Sequence, residues 1–122
     1  MKNLSNCTPT EFLKQAMAMR APFKAWLENT GIPEIRKHMP DGYDDMTDEE
    51  KVEAATDQAR KNVGEMLNAA LEKDFDGTIE LICMATFTPR KDFDKHPFSE
   101  YMTSLLDCLK NDGVKSFFTL YL

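Results

Sequence analysis

The sequence predicts an all-α protein: a compact, single-domain bundle of about five to six helices, the first of them kinked at Pro22. Three observations favour this class. Apolar residues recur at spacings of three and four along most of the chain. Helix-capping residues precede several of these stretches, and Pro or Gly separates them. A length of 122 residues suits one domain, residues 1–122, with one hydrophobic core.

The first helix is predicted from about Pro9 to Asn29. Thr8 and Glu11 have the spacing of a capping box, and Gly31 is a natural stop. Its apolar stripe consists of Phe12, Ala16, Met19, Phe23 and Trp26.

Pro22 lies inside this first helix. Because proline has no N–H and its ring clashes with the preceding turn, we expect a kink or a break near residues 19–21. The stripe continues across the proline, so both halves can face the same core.

Two further helices are predicted in the middle of the chain. Residues 33–39 are predicted to form a short helical turn or a second helix with Ile35 facing inward, and an acidic loop follows over residues 40–47. A second capping box, Thr47 to Glu50, opens a long helix that ends near Lys73. The predicted stripe of the long helix is Val52, Ala55, Ala59, Val63, Met66 and Ala70, with Leu67 and Leu71 beside it.

Residues 77–87 are apolar on almost every side, which predicts a buried helix capped by Asp76. A β-strand is the alternative, since short apolar runs are ambiguous, but the helical neighbourhood and the Asp cap favour the helix. After a charged loop over residues 88–96, another helix is predicted over about 97–110. Its stripe is Phe98, Met102, Leu105 and Leu109, with Tyr101 and Leu106 beside it.

The last predicted helix, residues 114–122, follows a turn at residues 111–113 and is the best candidate for a partner-binding surface. Its large apolar side chains are hard to bury completely in so small a domain. The predicted partner-binding residues are Phe117, Phe118, Tyr121 and Leu122. If they are exposed, we expect the protein to self-associate through this helix.

The net charge of −6 is distributed unevenly. Residues 1–40 carry three acids and six bases, residues 41–60 eight acids and two bases, and residues 61–122 ten acids and seven bases. The acidic balance argues against general nucleic-acid binding, although the basic first region could meet an anionic partner or could simply be solvated. No apolar run has the length of a membrane span and the N-terminus lacks a signal-peptide core, so a cytoplasmic location is expected.

No catalytic residue, cofactor or metal site is predicted. Cys7, Cys83 and Cys108 make an odd number without a close pair, and the two histidines have no metal-ligand spacing. An enzyme that uses Cys7 or His96 is an alternative, but no catalytic signature supports it.

Residues 72–83 match a calcium-binding loop in their middle positions. The match fails at the last position, where Cys83 cannot supply the bidentate carboxylate that calcium needs. A turn between two helices, with Asp76 as a cap, is the favoured interpretation.

Several strings of the sequence together resemble a group of small proteins encoded in phages and prophages of gut Firmicutes, some of which are tail assembly chaperones. The strings are residues 3–13, 26–27, 35–37, 68–72, 97–101 and 116–119, and the similarity extends over nearly the whole chain. Pro22 departs from the group, which would otherwise have a straight first helix.

The resemblance implies a non-enzymatic helical protein made with the tail genes. Such proteins coat the long tape-measure protein and keep it soluble until tail-tube subunits replace them. This chain is therefore expected to bind an amphipathic segment of a partner such as the tape-measure protein. The alternative function is a phage-encoded inhibitor of a host defence protein, in which the acidic residues 41–60 mimic a nucleic-acid surface.

Overall fold

The computed structural model describes residues 1–121, apart from the side chain of Tyr121, and Leu122 lies outside the described residues. Within residues 1–121 the chain forms six α-helices and two short 3-10 helices and contains no β-strand, which confirms the all-α class. The α-helices are α1 (Pro9–Thr30), α2 (Ile32–Arg36), α3 (Asp48–Lys73), α4 (Phe75–Ala85), α5 (Phe98–Lys110) and α6 (Asp112–Tyr121). The 3-10 helices span Tyr43–Asp45 and Arg90–Lys95.

Both predicted capping boxes are confirmed. The Thr8 and Thr47 hydroxyls accept hydrogen bonds from the backbone N–H groups of Glu11 and Glu50, and each Glu carboxylate accepts one from the Thr backbone. α1 stops where Gly31 adopts a φ of 70°, a left-handed conformation that favours glycine.

α1 is one continuous helix from Pro9 to Thr30, so Pro22 does not break it. Proline still removes one backbone hydrogen bond, that to the carbonyl of Ala18, because it has no N–H. The kink at Pro22 stays a prediction.

The contacts divide the chain into two compact units. The first contains Met1–Lys24 and the residues from Asp76 onward, and the second contains Ala25–Phe75. Each unit is described by itself below.

The first unit holds most of the buried apolar side chains of the described residues. Ala16 is fully buried in α1, and Tyr101 in α5 is only 1 % exposed. The other buried apolar residues of this unit are Leu4, Met19, Ile79, Leu81, Cys83, Ala85, Cys108 and Val114.

Asn3, which is only 1 % exposed, holds an N-terminal turn against this core by hydrogen bonds. The Asn3 side-chain oxygen accepts hydrogen bonds from the Ser5 backbone at 2.8 Å and from the Cys108 thiol at 3.6 Å. The next residue, Leu4, donates its backbone N–H to the Ala85 carbonyl at 3.2 Å. The turn before α1 therefore depends on one buried amide.

Replacing Asn3 with alanine is expected to lower the free energy of unfolding by about 2 kcal/mol, because it leaves buried polar groups without hydrogen-bond partners. The same substitution at the exposed Asn29, which bonds Asp74 at 3.1 Å, should cost less than about 0.5 kcal/mol. Urea unfolding followed by circular dichroism measures both. Equal losses would contradict the structural role of Asn3.

The apolar segment after residue 75 is a helix, as predicted, and the strand alternative is wrong. α4 begins at Phe75, so Asp76 lies in its first turn and the prediction that Asp76 caps it is wrong. A carboxylate there still suits the positive end of the helix dipole. α4 ends at Ala85 rather than at Phe87, because Phe87 has left the helical conformation with a φ of 50°.

α5 has its predicted bounds, but the structure buries a different side of it. Tyr101, Ser104 and Cys108 are buried, whereas Phe98 is 59 % and Leu109 65 % exposed. The predicted stripe was wrong because the apolar residues of α5 are spread over a broad arc of the helix. Their spacing does not predict which side of that arc packs against the rest of the protein.

In the second unit, α2 packs against α3. Ile35 of α2 is half-buried. The amide of Asn62 is buried, where it donates to the His38 carbonyl at 3.2 Å and accepts from Gln58 at 2.9 Å. A polar residue thus holds the turn that follows α2 against α3.

The predicted stripe of α3 is wrong in part. Ala70 is buried as predicted, and Ala55 and Met66 are half-buried. Val52, Ala59 and Val63 are exposed, as are Leu67 and Leu71 beside the stripe. Helical spacing shows that these residues share one side of α3, but α2 is short and packs on another side.

Candidate protein-binding surface

The last helix starts earlier than predicted because Asn111 caps it. The Asn111 side-chain oxygen accepts the Val114 N–H at 2.9 Å, and its carbonyl accepts the Lys115 N–H at 3.0 Å. α6 therefore includes Asp112 and Gly113, which were predicted to be a turn.

Three phenylalanine rings form an aromatic cluster that joins α1 and α6. The ring centre of Phe12 lies 5.1 Å from that of Phe117 and 6.2 Å from that of Phe118, with near-perpendicular planes. Phe117 and Phe118 are themselves 5.7 Å apart at 88°. These edge-to-face contacts suit the charge distribution of aromatic rings, so the cluster holds α6 on the start of α1.

An apolar groove runs beside the cluster and is called here the α1–α6 groove. Its lining is mainly apolar, with only Ser5, Cys7 and Asn111 contributing polar side chains. The apolar lining residues are Leu4, Pro9, Phe12, Leu13, Val114 and Phe117. Leu13 is 54 % exposed, and Leu120, further along α6, is 89 % exposed. This surface can bind apolar side chains of another molecule.

The structure describes the side chains of only two of the four predicted partner-binding residues. Phe117 and Phe118 are half-buried within the cluster. The side chain of Tyr121 and the whole of Leu122 lie outside the described residues. The role of these four residues in binding a partner stays a prediction.

The sequence pattern did not identify Phe12 and Leu13 as residues of this surface. Phe12 was predicted to belong to the buried stripe of α1. Its ring is half-buried and contacts Phe117 and Phe118. Nothing in a single sequence indicates that the two ends of the chain meet. The one available signal was the apolar character of both α1 and α6.

The residues weighed for catalysis lie in separate local contacts. The Cys7 thiol donates to the Leu4 carbonyl at 3.7 Å. The exposed His96 ring lies 3.0 Å from the Glu100 carboxylate, and His38 lies 3.4 Å from that of Glu65. These pairs are i,i+4 or surface contacts, which are common in helical proteins without a catalytic role.

The calcium-loop interpretation of residues 72–83 is wrong. α3 continues to Lys73 and α4 begins at Phe75, so most of the segment is helical and lacks the loop backbone that surrounds a calcium ion. Within residues 1–121, no group of three or more His, Cys, Asp or Glu side chains is arranged to hold a metal ion.

Burial raises the pKa of the Cys83 and Cys108 thiols and of the Tyr101 hydroxyl. For Cys83 the nearby Arg90 partly opposes this effect, and for Cys108 the backbone at Leu4 does so. Since the thiolate is the nucleophile, the raised pKa and the burial together lower the reactivity of both thiols near neutral pH.

Cys7 should therefore react with iodoacetamide first, because it is half-buried whereas Cys83 and Cys108 are buried. Peptide mass spectrometry of briefly treated native protein should find the label at Cys7 at least about tenfold more often than at either buried cysteine. In urea the three should react alike. Preferential labelling of Cys108 in the native protein would contradict the structure.

These raised pKa values predict how the free energy of unfolding changes at alkaline pH. The native state holds the protons of Cys83, Cys108 and Tyr101 more tightly than the unfolded chain does. The stabilisation from the two thiols is complete below their ordinary pKa of about 8.5 and is lost as the pH rises. The stabilisation from Tyr101 is lost only above about pH 10.

Urea midpoints between pH 7 and pH 10 measure this loss. A Cys83→Ala, Cys108→Ala variant should have a flatter profile between about pH 8 and 10, whatever its stability at pH 7. An unchanged slope would show that other groups cause the alkaline loss.

Comparisons with protein-family models, curated proteins and solved structures each return no match for this chain. None of the helices within residues 1–121 is both long and apolar enough to cross a membrane.

Proposed function

We propose that this chain is a non-enzymatic, cytoplasmic phage protein similar to tail assembly chaperones. It binds an amphipathic segment of a partner such as the tape-measure protein. The observation that carries the proposal is the α1–α6 groove, an apolar surface that includes the exposed Leu13, and α6 carries a further exposed apolar side chain, Leu120. The sequence resemblance supplies the class of partner.

The physical properties of this surface support such a role. An amphipathic helix can lay its apolar face into a hydrophobic groove, with anchor side chains three or four residues apart. A net charge of −6 helps to keep a complex with an apolar partner in solution.

Co-expression with the tape-measure protein encoded in the same phage tests this function. The chain should raise the soluble fraction of that protein and should co-purify with it. No rescue together with no co-purification would overturn the proposal.

A pair of variants tests whether the partner contacts α6. Leu120→Asp puts a charge on an exposed apolar side chain, and Thr119→Asp puts the same charge on the neighbouring exposed residue. Only Leu120→Asp should reduce co-purification, by roughly tenfold, since a desolvated charge opposes apolar binding. Equal effects would show that the partner binds elsewhere.

An inhibitor of a host defence protein is the second candidate function. The observation in its favour is the run of exposed acids in residues 41–60, which include Asp44, Asp45, Glu49 and Glu50. The neighbouring genes distinguish the two candidates. A position between tube and tape-measure genes favours the chaperone, and a position among early or defence genes favours the inhibitor.

A further inference from the structure

One side of α5 is apolar and largely exposed and is called here the α5 apolar face. Phe98 is 59 %, Met102 40 %, Leu106 45 % and Leu109 65 % exposed, and Leu105 is half-buried. At 100° per residue these five positions fall within an arc of about 100°, and no other residue of α5 lies in that arc. The face is therefore continuous from the first turn of α5 to the last.

The buried residues and the acids of α5 lie outside this face. Tyr101, Ser104 and Cys108 are buried on one side of it. The acids Glu100 and Asp107 lie about 100° or more around the helix from every residue of the face. α6 packs against α5, yet the face keeps its exposure. The structure thus leaves an uncharged apolar surface on α5.

The spacing within the face is that of a coiled-coil seam. Four of its residues are separated by intervals of four, three and four, the alternation of the a and d positions in a heptad: Phe98, Met102, Leu105 and Leu109. This order of intervals is the same in both directions along the helix. A second, antiparallel α5 therefore brings Phe98 against Leu109 and Met102 against Leu105, so that each apolar side chain meets another.

The charges of the chain permit this pairing. Lys110 lies near the edge of the face, but in an antiparallel pair the two copies of it lie at opposite ends, about 20 Å apart along the helix axes. Each positive helix N-terminus also lies beside a negative C-terminus. The first unit, which contains α5, carries nine Lys and Arg against eight Asp and Glu, so two copies that meet through it bring little net charge together.

We propose that the α5 apolar face is a homodimer interface, in which two copies of this chain pair their α5 helices antiparallel about a two-fold axis. The face is self-complementary, as a two-fold interface requires. Five side chains per copy are far fewer than the roughly 20–30 residues per side of a stable interface. The dimer is therefore weak, with a dissociation constant on the order of 100 µM.

This interface does not depend on the proposed chaperone function. None of its five residues lines the α1–α6 groove, and the purified chain tests it without any other protein.

Sedimentation equilibrium of the purified chain between about 20 µM and 1 mM tests the interface. The mean mass should rise with concentration from that of one chain toward that of two. Phe98→Glu and Leu109→Lys should each weaken the association at least about tenfold, because each places a charge against an apolar side chain. Both substitutions suit α5 itself, since an acid is favourable in the first turn of a helix and a base in the last.

Mixing these two variants tests the antiparallel register. In a mixed pair the new carboxylate of Phe98→Glu meets the new ammonium of Leu109→Lys at one end, and the natural Phe98 meets the natural Leu109 at the other. An equimolar mixture should therefore associate about tenfold more strongly than either variant alone. A parallel pair would gain nothing from mixing, because position 98 would then meet position 98.

Leu67→Glu and Leu71→Lys on α3 are the matched controls, because these leucines are 60 % and 54 % exposed. Neither should change the association. Circular dichroism and urea midpoints should show that all four variants keep the fold.

Three results would overturn the proposal. The first is a chain that stays monomeric at 1 mM, which would exclude a second copy as the occupant of the face. The second is association that the α3 controls weaken and that Phe98→Glu and Leu109→Lys do not. The third is a mixture that associates no more strongly than its two components, which would exclude the antiparallel register.

Discussion

Replacing Tyr101 with alanine is expected to lower the free energy of unfolding by roughly 3–5 kcal/mol, a large part of the total for a domain of this size. Tyr101 is 1 % exposed, and its ring centre lies 4.8 Å from that of Phe93. Its hydroxyl donates to the Phe93 carbonyl at 2.8 Å. The alanine variant loses the ring, opens a cavity and leaves that carbonyl without its donor.

Tyr101→Phe is the matched control because it removes only the hydroxyl. It should cost about 1 kcal/mol, the usual cost of one buried hydrogen bond. Urea unfolding monitored by circular dichroism measures both variants. If the two lose the same stability, or if Tyr101→Ala loses less than about 1 kcal/mol, Tyr101 is not the centre of the core.

Replacing Phe12 with alanine should have the second largest effect, roughly 2–3 kcal/mol, because it removes the ring that both Phe117 and Phe118 contact. The loss should be greatest at α6. Hydrogen exchange should therefore show faster exchange of the α6 amides in Phe12→Ala than in the unaltered protein.

Leu13→Ala is the control for this variant. Leu13 follows Phe12 directly but is 54 % exposed, so its removal should cost less than about 1 kcal/mol and leave the exchange of α6 unchanged. Equal loss in both variants would show that the aromatic cluster does not hold α6.

The sequence predicted features that depend on neighbouring residues. The capping boxes at Thr8 and Thr47 form as expected, because their hydrogen bonds close within three residues. The glycine stop at Gly31 also forms, since a positive φ is a local requirement. These signals fixed the starts of α1 and α3 and the end of α1.

Features that depend on distant contacts were predicted poorly. Val52 and Val63 were assigned to a core stripe but are 70 % and 52 % exposed, because the spacing of residues along a helix does not identify the helix that packs against it. Asn3 and Asn62 are buried although polar residues are usually exposed, and only their hydrogen-bond partners explain this.

The candidate site was predicted in part for the same reason. The apolar pattern of α6 indicated Phe117 and Phe118, whose rings belong to the aromatic cluster. The pattern could not indicate Phe12, which is separated from them by about a hundred residues of chain and meets them only after folding.

Hydrogen exchange of the chain alone and mixed with the tape-measure protein of the phage proposed to encode it tests the proposed function most directly. If the α1–α6 groove binds that protein, the amides of α6 and of the first turns of α1 should exchange more slowly in the mixture. Leu120→Asp should remove this protection, and Thr119→Asp should keep it. Unchanged exchange in α6, at concentrations where the two proteins co-purify, would contradict the proposed site.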